Sequence, residues 1–176
     1  RTLATGGADA MYSGPLAEAI VAKAAQSVGD DVAKTPITPS LMTVTDLKNY
    51  QAKKREPVCT TYRSSYYICT MSPPSSGGIA IAQSLGILEN FDLSQYGPTN
   101  PSNEGGVPSV MGVHLVSEAQ RLAYADRDKY VADTDFIPLP GNGVSSMIDK
   151  AYLKQRASLI NADGKSMGTA AAGDLG

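Results

Sequence analysis

The apolar positions along the chain change period several times, and each change marks a predicted element. After Gly14, the residues Leu16, Ile20, Val21 and Ala24 recur on one helical face, with Glu18 and Lys23 elsewhere. Pro15 suits the first helical position, where a missing N–H costs nothing, and Gly14 or Ser13 suits the N-cap. Across residues 27–41 the pattern stops, broken by Gly29, Pro36 and Pro39, which predicts a long loop of the kind found in insertions. Thr43, with Asp46 three residues on, has the form of a capping box and predicts a short helix to about Lys53.

Residues 58–71 are rich in Tyr, Thr, Val, Ile and Cys, with a break at Arg63-Ser64-Ser65, and predict a β-hairpin. If Tyr62 pairs with Tyr66, Cys59 and Cys69 fall opposite each other, within disulfide reach. Two reduced, half-buried thiols satisfy the same pattern. Residues 72–78 (Ser-Pro-Pro-Ser-Ser-Gly-Gly) form a loop that is rigid and then flexible, leading into a helix with Ile81, Leu85 and Leu88 on its expected buried face. Residues 97–109, rich in Gly, Pro, Asn and Ser, predict an exposed loop.

A long helix follows over residues 110–131. At about 100° per residue its apolar side holds Met111, Leu115, Val116, Ala119, Leu122, Ala123 and Tyr130. Asp126 falls in the middle of that side, where a carboxylate must be paired or hydrogen-bonded. His114 lies on the opposite side near Glu118 and Arg121. After Pro138 and Pro140 a short helix is expected over residues 146–160, and residues 161–176, Gly/Ala-rich and aperiodic, are expected as a flexible tail.

Composition narrows the function classes. The chain has 176 residues with a net charge of −2, which argues against a dedicated nucleic-acid binder. Leu, Ile, Val and Phe together make up just under a fifth of it, so its means of burying a core are thin and a partner surface is expected to complete it. No stretch approaches the roughly 20 apolar residues of a membrane span. The first residues show no apolar segment of signal-peptide type, which by itself places the chain in no compartment. Two separated cysteines and one histidine make no ligand set, so no metal is expected.

The residues contain no complete catalytic apparatus. A Ser-His-Asp triad would have to use His114, which reads instead as a solvated helix residue. Asp126 reads as one half of a structural ion pair. Ser75, Ser76, Gly77 and Gly78, ahead of a helix N-terminus, suit either a carboxylate or oxyanion or simply a tight turn. Their spacing matches no nucleotide-binding fingerprint.

The order of short motifs resembles the gamma-glutamyltranspeptidase family, in the C-terminal part of its large subunit. The pieces are Gly7-Ala8-Asp9-Ala10-Met11-Tyr12-Ser13-Gly14 with Ala17-Glu18-Ala19-Ile20, then Thr43 to Tyr50 around Asp46-Leu47, and then Tyr62-Arg63. Pro73-Pro74-Ser75-Ser76-Gly77-Gly78 and Leu88-Glu89-Asn90-Phe91-Asp92 follow. Glu118-Ala119-Gln120-Arg121-Leu122-Ala123-Tyr124-Ala125-Asp126-Arg127, with Tyr130 and Asp133-Thr134-Asp135-Phe136, is the strongest stretch. Departures are Ser72 in place of the first of three prolines, a turn one residue longer at Ser64-Ser65, the stretch 27–41, and Ala132 and Thr134 within the family's Gly-Asp-Pro-Asp-Phe.

The resemblance implies an α+β fold, part of the four-layer αββα sandwich of N-terminal-nucleophile hydrolases, with this segment mostly helical and carrying one hairpin. It implies that residues 1–176 are one incomplete domain, whose residues 161–176 lead to an autocleavage site. The nucleophilic Thr is expected just after Gly176, at the start of a small subunit that is the main partner, so no catalytic residue is expected in this chain. The expected substrate is a γ-glutamyl compound such as glutathione, with water or an acceptor amine and no cofactor. Ser75, Ser76, Gly77 and Gly78 are carried as candidate binding residues, and Asp126, Arg127 and a Cys59–Cys69 disulfide as structural ones. A periplasmic or secreted location is implied. A cephalosporin-acylase type of member and a non-catalytic scaffold are the alternatives.

Overall fold

The helices that begin at Val44, Val110 and Lys150 each start where a nearby side chain supplies an oxygen to the first free N–H groups. At Thr43 the hydroxyl accepts from Asp46 N at 3.3 Å and the Asp46 carboxylate accepts from Thr43 N at 2.7 Å, a complete capping box. Ser109 Oγ accepts from Gly112 N at 3.0 Å, and Asp149 Oδ1 accepts from Tyr152 N at 2.9 Å. The computed structural model describes residues 1–103 and 105–176. Where the sequence suggests one piece, it divides into two units, residues 1–54 and 55–176.

The first unit holds helices Thr2–Gly6 (α1), Asp9–Tyr12 (α2), Gly14–Ala24 (α3) and Val44–Asn49 (α4). Pro15 lies in the first turn of α3, and Ala17 is the residue that α3 buries fully. Residues 27–41 are a loop closed by a bridge between Val28 and Pro36, and by the Asp31 carboxylate, which accepts from Thr35 N and Oγ1. Helix α4 stops at Asn49, short of Lys53, because Tyr50 turns extended and stacks its ring on Tyr12 at 5.6 Å.

The second unit opens with strands Val58–Tyr62 (β1) and Tyr66–Thr70 (β2), paired antiparallel with Tyr62 opposite Tyr66 and Cys59 opposite Cys69. The cysteines form a disulfide, their Cα atoms 4.1 Å apart. The hairpin lies against helix Gly77–Leu88 (α5), and Gly78 makes that contact possible: a Cβ there would lie 1.8 Å from the Met71 carbonyl oxygen. A short 3-10 turn, Leu93–Tyr96, leads to the long helix Val110–Tyr130 (α6), and helices Val144–Met147 (α7) and Lys150–Ala157 (α8) follow. Ile87, Leu88, Leu115, Leu122 and Leu153 pack one core between α5, α6 and α8. Val58, Ile79, Ala82 and Met147 pack a second core under the hairpin.

Three further expectations differ from these elements. The buried side of α5 is Ile79, Ala82, Gln83, Gly86 and Ile87 together with the expected Leu88, whereas Ile81 is 50% exposed and Leu85 half-buried. This helix is apolar nearly all round, so spacing alone selects several stripes. Gly78 and Gly86 decide among them, since a Cβ on Gly86 would sit 2.3 Å from Leu153 Cδ1. The single helix expected over residues 146–160 is two, because Ile148 leaves the helical region and Asp149 caps a new start. Residues 161–176, expected as a flexible tail, form no helix or strand, and side chains of α6 and α8 hold their backbone.

Substituting Gly78→Ala is expected to cost roughly 3 kcal/mol or more in denaturant unfolding, because its new methyl meets backbone rather than a side chain that can swing away. Replacing both cysteines with serine should cost about 2–3 kcal/mol, the loop-closure value for so short a ring. Free thiols found by alkylation without reduction would contradict the pairing.

Candidate functional site

Among the described residues, the buried chemistry gathers on one face of α6. Asp126 is 1% exposed, and both its oxygens are doubly engaged. Oδ2 accepts from Gln83 Nε2 of α5 at 3.0 Å and from the Tyr152 hydroxyl of α8 at 2.5 Å. Oδ1 accepts from the backbone N–H of Gly173 at 2.8 Å and lies 3.1 Å from Arg156 Nη2. One carboxylate thereby ties together two neighbouring helices and the C-terminal segment. Burial first, then the bond to Asp126, pushes the Tyr152 hydroxyl above its ordinary value, so it stays protonated and donates.

The partners of Asp126 have further partners. Gln83 Nε2 also donates to the Met147 carbonyl at 2.9 Å. Arg156 Nη2 donates to the carbonyls of Leu122 at 3.2 Å and Ala171 at 2.8 Å. The Tyr130 hydroxyl donates to the Gly173 carbonyl at 2.7 Å, so Gly173 is held through both its N–H and its C=O. A Cβ on Gly173 would lie 2.1 Å from the Tyr152 oxygen.

Two turns earlier on α6, Glu118 does the same work on another part of the segment. It is 2% exposed and accepts from Met167 N at 2.9 Å, Ser166 Oγ at 3.1 Å and Arg121 Nε at 3.2 Å. Burial alone would raise its carboxyl, but those three donors outweigh it and hold the group below its ordinary 4.5. His114 Nε2 donates to the Asn161 carbonyl at 2.9 Å rather than meeting Glu118. Side chains of α6 and α8 thus guide the segment from Asn161 to Gly173.

The structure does not bring the candidate loop into this cluster. Ser76 Oγ accepts from Arg127 Nε at 3.1 Å, and Arg127 Nη1 also meets Asp128 Oδ1 at 2.6 Å. Gly78 is buried against Met71, while Ser75 and Gly77 face outward. Cys59 and Cys69 are on the hairpin. Among the described residues no group of three or more His, Cys, Asp or Glu side chains is placed to hold a metal ion. An open apolar groove of about 390 Å³ runs between α5 and α6, lined by Ile81, Leu85, Leu88, Val116 and Tyr124.

Sequence reasoning singled out Asp126 but missed Gln83, Glu118, Tyr152, Arg156 and Gly173. Part of the signal was available: Tyr152 and Arg156 stand one turn apart on a helix and present a donor pair. The Gly173 and Met167 contacts are made by backbone N–H groups, which leave no mark in residue type.

A family model described as Gamma-glutamyltranspeptidase matches residues 1–172. The chain is 36% identical over 159 residues to a glutathione hydrolase proenzyme of Escherichia coli, covering 90% of this chain and 23% of that protein. It is also 36% identical over 160 residues to an acylase proenzyme of a Pseudomonas species, covering 91% of this chain and 24% of that one. A crystal structure of Helicobacter pylori gamma-glutamyltranspeptidase superposes with a TM-score of 0.65 at 34% identity, over 97% of this chain and 42% of that one. The chain therefore spans about a quarter of the length of the curated relatives it matches.

Asp126→Ala is expected to lower unfolding free energy by about 3–5 kcal/mol, because it leaves Arg156 buried without its counter-charge. A near-neutral result in a denaturant titration would contradict the network. For Glu118 the folded carboxyl sits below its unfolded value, so its contribution is present above about pH 4.5 and lost as pH falls through the lower folded value. Melting temperature measured against pH should therefore drop on the acid side, and Glu118→Gln should flatten that drop.

Proposed function

This chain belongs to the gamma-glutamyltranspeptidase family, and on that premise we propose that it is part of the large subunit of a glutathione hydrolase and gamma-glutamyltransferase. The observation that carries this reading is the match of nearly the whole chain to the family model, together with its identity to a glutathione hydrolase proenzyme. In this reading the chain is made as a precursor, and cleavage beyond Gly176 frees a threonine as the first residue of a small subunit. The threonine oxygen attacks the γ-glutamyl carbonyl, its own α-amine takes the proton, and the amine leaving group departs protonated. Water or an acceptor amine then attacks the γ-glutamyl ester and restores the hydroxyl. No cofactor enters these steps.

The chain's own residues supply scaffold to that chemistry rather than reacting groups. The buried carboxylates of α6 hold the segment between Asn161 and Gly173, which in this reading connects the scaffold to the cleavage point. A second reading, an acylase acting on a side-chain amide of different shape, rests on the equal identity to the acylase proenzyme. A periplasmic or secreted setting accords with the Cys59–Cys69 disulfide, which persists where thiols are not kept reduced.

The full-length protein is expected to release the chromophore from a γ-glutamyl anilide, and its second band on a denaturing gel should begin with Thr. Hydrolysis of glutaryl-cephalosporin without anilide turnover would select the acylase reading, and turnover of neither substrate would overturn both.

A further inference from the structure

Gly173 is the most tightly specified position in the C-terminal segment. Its N–H donates to Asp126 Oδ1 at 2.8 Å and its carbonyl accepts from the Tyr130 hydroxyl at 2.7 Å. A Cβ there would lie 2.1 Å from the Tyr152 oxygen and 2.8 Å from two of its ring carbons. Tyr152 is itself fixed by its bond to Asp126, so it has little freedom to retreat. Gly173 is therefore needed for close approach of backbone to side chain.

The surrounding contacts extend this hold in both directions. Arg156 takes the Ala171 carbonyl at 2.8 Å, Glu118 takes the Met167 N–H at 2.9 Å, and Leu175 packs against both apolar cores. Two carboxylates buried to within 2% of full burial thus spend hydrogen-bonding capacity on backbone that forms no helix or strand. Apolar contacts would cover the same core without the desolvation cost of charges. What the charges add is a fixed path for the segment.

We propose that Asp126, Tyr130 and Tyr152 form a clamp on Gly173 that positions the chain beyond it for maturation of the precursor. These are positioning residues: their role is to hold the Gly173 backbone. The proposal rests on the proenzyme reading above, in which cleavage consumes one water and leaves a new carboxylate and a new amine. Displacing a reacting group by even an ångström costs up to about a hundredfold in rate, and an alanine at position 173 forces a displacement of that order.

The test uses the full-length precursor, following appearance of the two fragments on denaturing gels alongside thermal melting. Gly173→Ala is expected to slow maturation by roughly ten- to a hundredfold. Replacing both Cys59 and Cys69 with serine, on the hairpin and outside the clamp, is expected to lower the melting temperature while maturing at the parental rate. Should Gly173→Ala fail to fold, Tyr130→Phe removes only the hydroxyl held by Gly173, and slowed maturation is expected from it too. Parental rates in the clamp variants, or slowing in the double cysteine variant that tracks lost stability equally, would overturn the clamp. A parent protein that never matures would instead overturn the proenzyme reading and the proposal with it.

Discussion

A single carboxylate, Asp126, decides how the second unit of this protein holds together. It is buried, and four donors from α5, α8 and the C-terminal segment converge on its two oxygens. Hydrogen bonds to charged groups are each worth about 1.5–3 kcal/mol, but an unpaired buried charge costs more than any one of them returns. The arrangement is therefore stable only when all its partners are in place. That condition couples the packing of helices to the path of a segment that has no regular structure of its own.

Around this centre the chain uses glycine where elements must approach closely. Gly78 brings the hairpin end to the start of α5, Gly86 brings α8 onto α5, and Gly173 brings the C-terminal segment onto Tyr152. In each case a methyl group would strike a specific atom. The hairpin is stapled across its register by Cys59–Cys69 and anchored at its turn, where Glu89 accepts from Arg63 N at 2.5 Å and pairs with Lys150. A two-stranded ribbon is marginal by itself, so these ties and the buried Val58 account for its persistence.

Features that depend on neighbours close in sequence were legible before the structure. The Thr43–Asp46 box and the register placing Cys59 opposite Cys69 follow from local spacing. Most of the α6 stripe was legible too, down to Asp126 in its middle, but Val116 is 41% exposed and Glu118, expected on the side of His114, is buried, because the C-terminal segment covers it. What escaped was set by tertiary choice. The inner face of α5 depends on which apolar stripe its neighbours can reach, and Ile81 lost to Ile79 because Gly78 and Gly86 flank the latter side. The fate of residues 161–176 escaped for another reason: their anchors are backbone groups, which any sequence carries, meeting Glu118, Asp126, Tyr130 and Arg156. In the candidate loop at Ser75–Gly78, Ser76 meets Arg127 rather than the Asp126 cluster.

Membership of the gamma-glutamyltranspeptidase family gives this arrangement a setting, since the Escherichia coli and Pseudomonas relatives described above are named as proenzymes and the chain spans about a quarter of their length. The central physical claim, that Asp126 holds an irregular segment as firmly as it holds helices, is open to direct measurement by native-state amide hydrogen exchange. The Gly173 N–H should exchange as slowly as the interior amides of α6, through the same global opening. Exchange of Gly173 at the rate of an exposed loop, while α6 stays protected, would contradict it.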